Sequence, residues 1–131
     1  MTATRGIHGA LEGAAAYFDG AVINCMGMAA ENMFSRPQTA VARNSDDFVP
    51  KREDGFAEHL LQNAYNTPYQ GELYVCDWDM FWTSHEDGLR HSLLRAISGG
   101  PVYFSDRIGE TAPEVAAPLC YADGRLPQLL R

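Results

Sequence analysis

The chain has 131 residues, 46% hydrophobic and 21% charged, which excludes disorder, collagen and a small disulfide scaffold and leaves one ordinary globular domain. Lys plus Arg number 10 against 17 Asp plus Glu, a net charge of -7, so neither nucleic acid nor an anionic membrane surface is expected as a partner. Cys25, Cys76 and Cys120 are odd in number, widely spaced and without a C-x-x-C pair, so reduced thiols in the cytoplasm are expected rather than a disulfide framework. Residues 1–20 carry only Arg5 as a positive charge and are interrupted by His8, Glu12 and Asp19, unlike a signal peptide. No apolar run approaches the length of a membrane span.

In chain order, the Ala-rich stretch 7–18 predicts a helix despite Gly9 and Gly13, and the short apolar run 21–26 predicts a strand. A second strand is expected at 39–43, followed by the turn Asn44-Ser45-Asp46-Asp47. Over 53–65, Phe56, Leu60, Leu61 and Ala64 fall at helical spacing, with Asn66-Thr67-Pro68 as the expected end of that helix. Residues 71–76 predict a third strand. Thr83-Ser84-His85-Glu86 matches a capping box ahead of an apolar stripe of Leu89, Leu93, Leu94 and Ile97, and Gly99-Gly100-Pro101 stops that helix. A fourth short strand is expected at 102–105, after which Pro113, Pro118 and Asp123-Gly124 break the chain into turns.

This alternation calls for an α/β fold with parallel strands and helical crossovers. A small doubly wound domain and half of a (β/α)8 barrel both produce it. The polar residues closing each strand favour the barrel: Asn24-Cys25, then 43–47, then Asp77 with Asp79, then Ser105-Asp106. Barrel active sites are assembled at that face.

Several motifs have both a structural and a chemical reading. Asp46-Asp47 suits a turn and helix cap, or a catalytic carboxyl. Arg43, four residues before Asp47, suits an ion pair at a strand end, or contact with a substrate oxygen. Asp77-Trp78-Asp79-Met80-Phe81-Trp82 sets two carboxylates among large rings, a composition for sugar binding or for a packed loop. Cys25 reads by default as a small buried hydrophobe, and Ser105-Asp106 as turn chemistry. His8, His59, His85 and His91 lack metal-ligand spacing, and His85-Glu86 lacks the second His of H-E-x-x-H, so no metal is expected. Gly99-Gly100 is followed by no Lys-Ser or Lys-Thr and is not a phosphate loop.

Five blocks in order carry a family resemblance: Ile23-Asn24-Cys25-Met26; Gln38-Thr39-Ala40-Val41-Ala42-Arg43-Asn44-Ser45-Asp46-Asp47-Phe48; Tyr65-Asn66-Thr67; Asp77-Trp78-Asp79-Met80-Phe81; and Gly99-Gly100-Pro101-Val102-Tyr103-Phe104-Ser105-Asp106. The chain resembles the raffinose synthase and seed imbibition protein family, related to the α-galactosidases of glycoside hydrolase family thirty-six. The resemblance implies a retaining (β/α)8 enzyme acting on terminal α-galactosides, without metal or cofactor. It further implies an aspartate nucleophile in a K-x-D motif after the fourth strand and an acid/base aspartate in R-x-x-x-D after the sixth. Arg43 to Asp47 is the only R-x-x-x-D here, which implies Asp47 as acid/base with Asp46 as the alternative. The Cys25 block is similar to a fifth-strand motif whose Cys and following Gly, here Gly27, line the galactose pocket. Arg43, Asp77, Trp78 and Asp79 complete the expected substrate-binding set.

The K-x-D motif is missing, because Lys51 is the only lysine and is followed by Arg52-Glu53. The expectation is therefore that residues 1–131 carry about strand five to strand eight of the barrel, with the start of the following segment. An upstream half-barrel is then needed to complete the site. On that reading the isolated chain neither hydrolyses nor transfers galactose, and hydrolase and galactosyltransferase stay open as the parent activity. A noncatalytic carbohydrate-binding or assembly fragment is the competing reading.

Overall fold

The computed structural model describes residues 2–127. Helix α1, Thr2–Ala15, starts earlier than the composition suggests and tightens into a 3-10 turn at Ala16–Phe18. Asp19 and Gly20, at φ 53° and 75°, then reverse the chain. Strand β1 is Ile23–Asn24, and a one-turn helix α2, Ala30–Met33, follows that the sequence pattern did not single out. Strand β2 is Val41–Arg43, helix α3 Gly55–Gln70, strand β3 Val75–Asp77 and helix α4 Gly88–Ser98. A short helix α5, Pro113–Ala116, and a 3-10 turn, Ala117–Leu119, stand where only turns were expected.

The strands form one parallel sheet in the order β1-β2-β3, so the molecule is mixed α/β. In this register Ile23, Val41 and Val75 share one row, and Asn24, Ala42 and Cys76 the next. Side chains alternate faces along a strand. The Ala42 row is buried, with Met33 and Tyr74 packed on Ala42, whereas Ile23 and Val75 remain exposed on the other face.

Polar contacts position the loops around the sheet. Glu12 of α1 is buried and accepts the N–H groups of Gln38 and Thr39, at 2.7 and 3.2 Å, and the Thr39 hydroxyl at 2.8 Å. Asn24 reaches the same hydroxyl at 2.9 Å and the Val41 carbonyl at 3.0 Å, which ties α1 and β1 to the entry of β2.

Three sequence expectations are corrected. Helix α3 passes through Pro68 instead of ending before it. The turn that proline weakens is held from outside: Asn66 donates to the Asn44 carbonyl at 2.6 Å, and Thr67 Oγ1 accepts from Asn44 at 2.8 Å and from the Trp78 indole at 3.0 Å.

Thr83 opens no capping box. Its N–H and hydroxyl both donate to Asp106, each at 2.7 Å, and its oxygen accepts the Ala112 N–H at 2.8 Å. The hydroxyl donates to a full carboxylate charge and its oxygen is taken by the Ala112 N–H instead of a helix-end amide, and α4 begins only at Gly88.

The expected strand at 102–105 is reduced to a single bridge between Phe81 and Phe104. Asp79, at φ 70°, turns the chain out of the line of β3 and leaves nothing longer for 102–105 to pair with.

The apolar stripe of α4 also faces the unexpected way. Leu89, Leu93 and Ile97 are exposed, while Gly88, His91, Ser92, Arg95 and Ser98 are buried. On α3 likewise, Leu61 and Ala64 are exposed and His59, Asn63 and Gln70 are buried. A second apolar cluster of Phe48, Phe81 and Leu119, flanked by Ala96, Val102 and Val115, lies under the loop after β2.

Two glycines give a test of this packing. A Cβ on Gly100 would stand 2.1 Å from the Cys76 carbonyl oxygen, whereas one on Gly13 meets nothing within 4 Å. Gly100→Ala is expected to lower stability by about 1–3 kcal/mol. Gly13→Ala, in the last turn of α1, is expected to raise it by about 0.5–1 kcal/mol. Urea-unfolding midpoints of the two variants check both signs.

Candidate active site

The parallel register places Arg43, the last residue of β2, beside Asp77, the last of β3. Both side chains are buried, and Arg43 Nε donates to Asp77 Oδ2 at 2.8 Å. The rest of the guanidinium fork is also engaged: Nη2 lies 2.7 Å from Asp79 Oδ1 and 3.0 Å from the Tyr103 hydroxyl, and Nη1 lies 3.1 Å from Asp47 Oδ1. Asp47 alone among these carboxylates faces solvent, with 71% of its side chain exposed.

Further donors satisfy the buried pair. Tyr103 donates to Asp77 Oδ2 at 2.8 Å, and the Asp79 N–H to Asp77 Oδ1 at 3.0 Å. Asp79 accepts the Phe48 N–H at 2.7 Å on Oδ2 and the Met80 N–H at 2.7 Å on Oδ1. Burial on its own would lower the Arg43 pKa, but the hydrogen bond to Asp77 and the charges of Asp79 and Asp77 outweigh it and raise it. Burial, then the hydrogen bond to Asp77, pushes the Tyr103 hydroxyl up to about 12, so it stays a donor throughout the physiological range.

Beneath this cluster Arg95 of α4 is buried and donates to the Trp78 carbonyl at 2.6 Å, to the Asp79 carbonyl at 3.2 Å and to His91 Nδ1 at 2.8 Å. The His91 ring lies among Phe48, Phe56 and Phe81. Burial lowers the Arg95 pKa to about 10 against the opposing pull of Asp79 and Asp77. Burial, followed by the charge of Arg95, lowers His91 to about 3.

A cavity of about 290 Å³ opens beside Asp47, lined in part by Cys25, Ser45, Asp46, Asp47, Glu58 and His59. Asp46 is fixed by Gln62 of α3, whose Oε1 accepts the Asp46 N–H at 2.7 Å and whose Nε2 lies 3.4 Å from its carboxylate. The structure thus joins Arg43, Asp47, Asp77 and Asp79 in one network and sets Cys25 and Asp46 on the same cavity as Asp47.

Cys25, directly after the two-residue strand, is exposed rather than buried, and Met26 beyond it takes φ 53°. Gly27 is buried against Asn24 and is not among the cavity-lining residues. Trp78 is buried with its N–H committed to Thr67, so its ring packs the loop and offers no open face to a sugar. Asp77 and Asp79 are likewise closed off, by Arg43, Tyr103 and backbone N–H groups. Tyr103, Gln62 and Arg95 were not singled out from the sequence, and His59 and His91 were weighed there only as metal ligands. Only Tyr103 lay in a recognised block. Among the described residues no three His, Cys, Asp or Glu side chains are grouped as metal ligands.

Two predictions follow from these charges. Arg43→Leu leaves Asp77 and Asp79 buried without their cation and is expected to cost about 3–5 kcal/mol, read as a fall in the urea midpoint. His91, held neutral in the fold, binds its proton mainly in the unfolded chain once pH falls below 6.5. The stabilisation is therefore full above pH 6.5 and is lost as pH falls toward about 3. His91→Gln, which keeps an acceptor for Arg95, is expected to flatten the stability slope measured from about pH 7.5 to about pH 5.

The family model described as raffinose synthase or seed imbibition protein Sip1 matches residues 1–130. The chain is 38% identical over 125 residues to "Probable galactinol–sucrose galactosyltransferase 6" of Arabidopsis thaliana, covering 94% of this chain and 17% of that protein. It is 35% identical over 101 residues to the stachyose synthase of Pisum sativum, covering 71% of this chain and 12% of that protein. It therefore spans less than a fifth of either relative's length. On the family model and these identities together, the chain belongs to the raffinose synthase or seed imbibition protein family.

Proposed function

We propose that this chain is the acid/base half of a retaining enzyme that moves α-galactosyl groups, built on the last four strands of a (β/α)8 barrel. The observation that carries the reading is the Arg43–Asp47 pair. It presents an exposed carboxylate on a cavity at the C-terminal end of parallel strands, where barrel enzymes do their chemistry. The exposed row of Ile23 and Val75 supports the barrel, since those residues stand where the missing strands would cover them.

Arg43 holds Asp47 by Oδ1, which leaves Oδ2 to protonate the departing glycosidic oxygen. The same carboxylate then deprotonates the incoming hydroxyl. Retention needs a second carboxyl about 5 Å away to attack the anomeric carbon. With no K-x-D motif in these residues, that nucleophile belongs to another part of the enzyme. Asp77, Asp79 and Tyr103 serve by fixing Arg43. Asp46, held by Gln62, serves by shaping the turn. The names of the relatives point to galactinol as donor class and sucrose as acceptor class.

The test uses the full-length enzyme carrying this segment. A general acid matters most when the leaving group is poor. Asp47→Ala is expected to slow cleavage of natural galactosides by about 10²–10⁴-fold. It should spare formation of the galactosyl-enzyme from an activated aryl galactoside, and azide should rescue turnover of the latter. Asp46→Ala is expected to lose far less and to show no rescue. Rescue at position 46 and not at 47 moves the assignment by one residue.

A further inference from the structure

We propose that Phe48, enclosed by His91, is the positioning residue for the Asp47 carboxylate, because the two rings close a circuit of contacts that starts and ends at Asp79. The role rests on the reading of Asp47 as acid/base. Asp47 does not fix its own place. Its side chain is 71% exposed, and among the described residues Arg43 Nη1, at 3.1 Å, is its one ion-pair partner. An exposed ion pair is a weak restraint, so the backbone at residue 47 supplies the rest.

That backbone is held one residue on. Phe48 is buried, and its N–H donates to Asp79 Oδ2 at 2.7 Å. Its ring packs with Phe81 and Leu119 and is surrounded by imidazoles from three parts of the chain. The ring centroid of His91, on α4, lies 4.2 Å away, that of His59, on α3, 5.6 Å, and that of His85, in the loop before α4, 5.6 Å.

His91 ties the Phe48 ring to the rest of the fold. It is fully buried, meets Phe56 edge-on at 4.9 Å and stacks on Phe81 at 5.7 Å. Its Nδ1 lies 2.8 Å from Arg95 Nη1, and a guanidinium has only donors, so Nδ1 accepts and the ring is neutral. Arg95 in turn donates to the Asp79 carbonyl at 3.2 Å. The circuit therefore runs from the Asp79 carboxylate to the Phe48 N–H, from the Phe48 ring to His91, and through Arg95 back to the Asp79 main chain. A phenyl ring at position 91 leaves Arg95 without this acceptor, and an amide leaves Phe48 without an aromatic wall.

Asp79 is also the residue on which Arg43 Nη2 rests, at 2.7 Å from Oδ1. The side-chain and main-chain restraints on Asp47 thus converge on one carboxylate, Oδ1 through Arg43 and Oδ2 through Phe48. Loosening Phe48 moves residue 47 while Arg43 keeps its buried partners, so the Asp47 carboxylate shifts relative to the departing oxygen without a bare charge in the interior. A misplacement of about 1 Å costs up to roughly 10²-fold in rate.

The experiment compares kcat/KM of the full-length enzyme on galactinol, whose leaving group is poor, and on an activated aryl α-galactoside, whose leaving group departs without a proton. His91→Gln keeps an acceptor for Arg95 but removes the ring, and Phe48→Leu trims the ring without emptying its site. Each is expected to lower kcat/KM for galactinol by about tenfold or more and for the aryl galactoside by less than about threefold. In the Asp47→Ala background neither is expected to lower the ratio further, because the group they position is gone. Urea midpoints show which variant folds, and either one alone carries the comparison. A purely structural lesion lowers both values together. An unmoved ratio in a folded variant, or a further fall in the ratio on top of Asp47→Ala, overturns the positioning role and leaves the acid/base reading standing. An unmoved ratio in Asp47→Ala itself overturns the acid/base reading, and the positioning role with it.

Discussion

A guanidinium buried between two carboxylates sets the geometry on which the strand ends depend. Arg43 leaves β2 with its Nε on Asp77 and its Nη2 on Asp79, and only then does Nη1 reach outward to Asp47. Burying three charges carries a desolvation penalty of several kcal/mol per ion, so such a cluster is weak evidence for stability. What it does accomplish is positional. Asp79 also accepts the Phe48 N–H, so the turn carrying Asp46 and Asp47 is fixed at both ends by groups that cannot shift without exposing a bare charge. Arg95 adds a second cation beneath, and two buried carboxylates face two buried guanidinium groups.

That demand for donors explains why α3 and α4 turn their polar faces inward. The chain between β3 and Phe81 leaves the Trp78 and Asp79 carbonyls buried, and Arg95 and His59 satisfy them. Likewise Asn44 at the end of β2 is met by Asn66 and Thr67 of α3. A buried carbonyl without a donor costs more than an exposed leucine loses. The leucines of α4 accordingly lie outside, on the face opposite His91 and Arg95.

Three of the four expected strands were legible in the sequence as short apolar runs ended by polar residues, though each is shorter than its run, and the Arg43 to Asp47 spacing was legible because it is local. Periodicity placed Leu89, Leu93 and Ile97 on one face but could not say which face turns inward, since the deciding acceptors, the Trp78 and Asp79 carbonyls, belong to another element. The capping motif at Thr83 failed for a similar reason: Asp106, 23 residues on, accepts its N–H and hydroxyl, and the distant Ala112 N–H takes its oxygen. Tyr103 joins Arg43 across 60 residues, a contact with no local signal. The default reading of Cys25 as buried failed, since a small side chain just past a strand end carries no local sign of its exposure, and it lies instead on the cavity.

The left-handed backbone at Asp79 narrows what position 79 tolerates. Glycine, asparagine and aspartate adopt φ 70° readily, and most other residues do not. Of those three, glycine offers no side chain to Arg43, and asparagine offers a carbonyl without the charge. Conformation and electrostatics thus select the same residue independently, and a mutational library at this codon should return aspartate almost alone, even under a selection that reports only on folding.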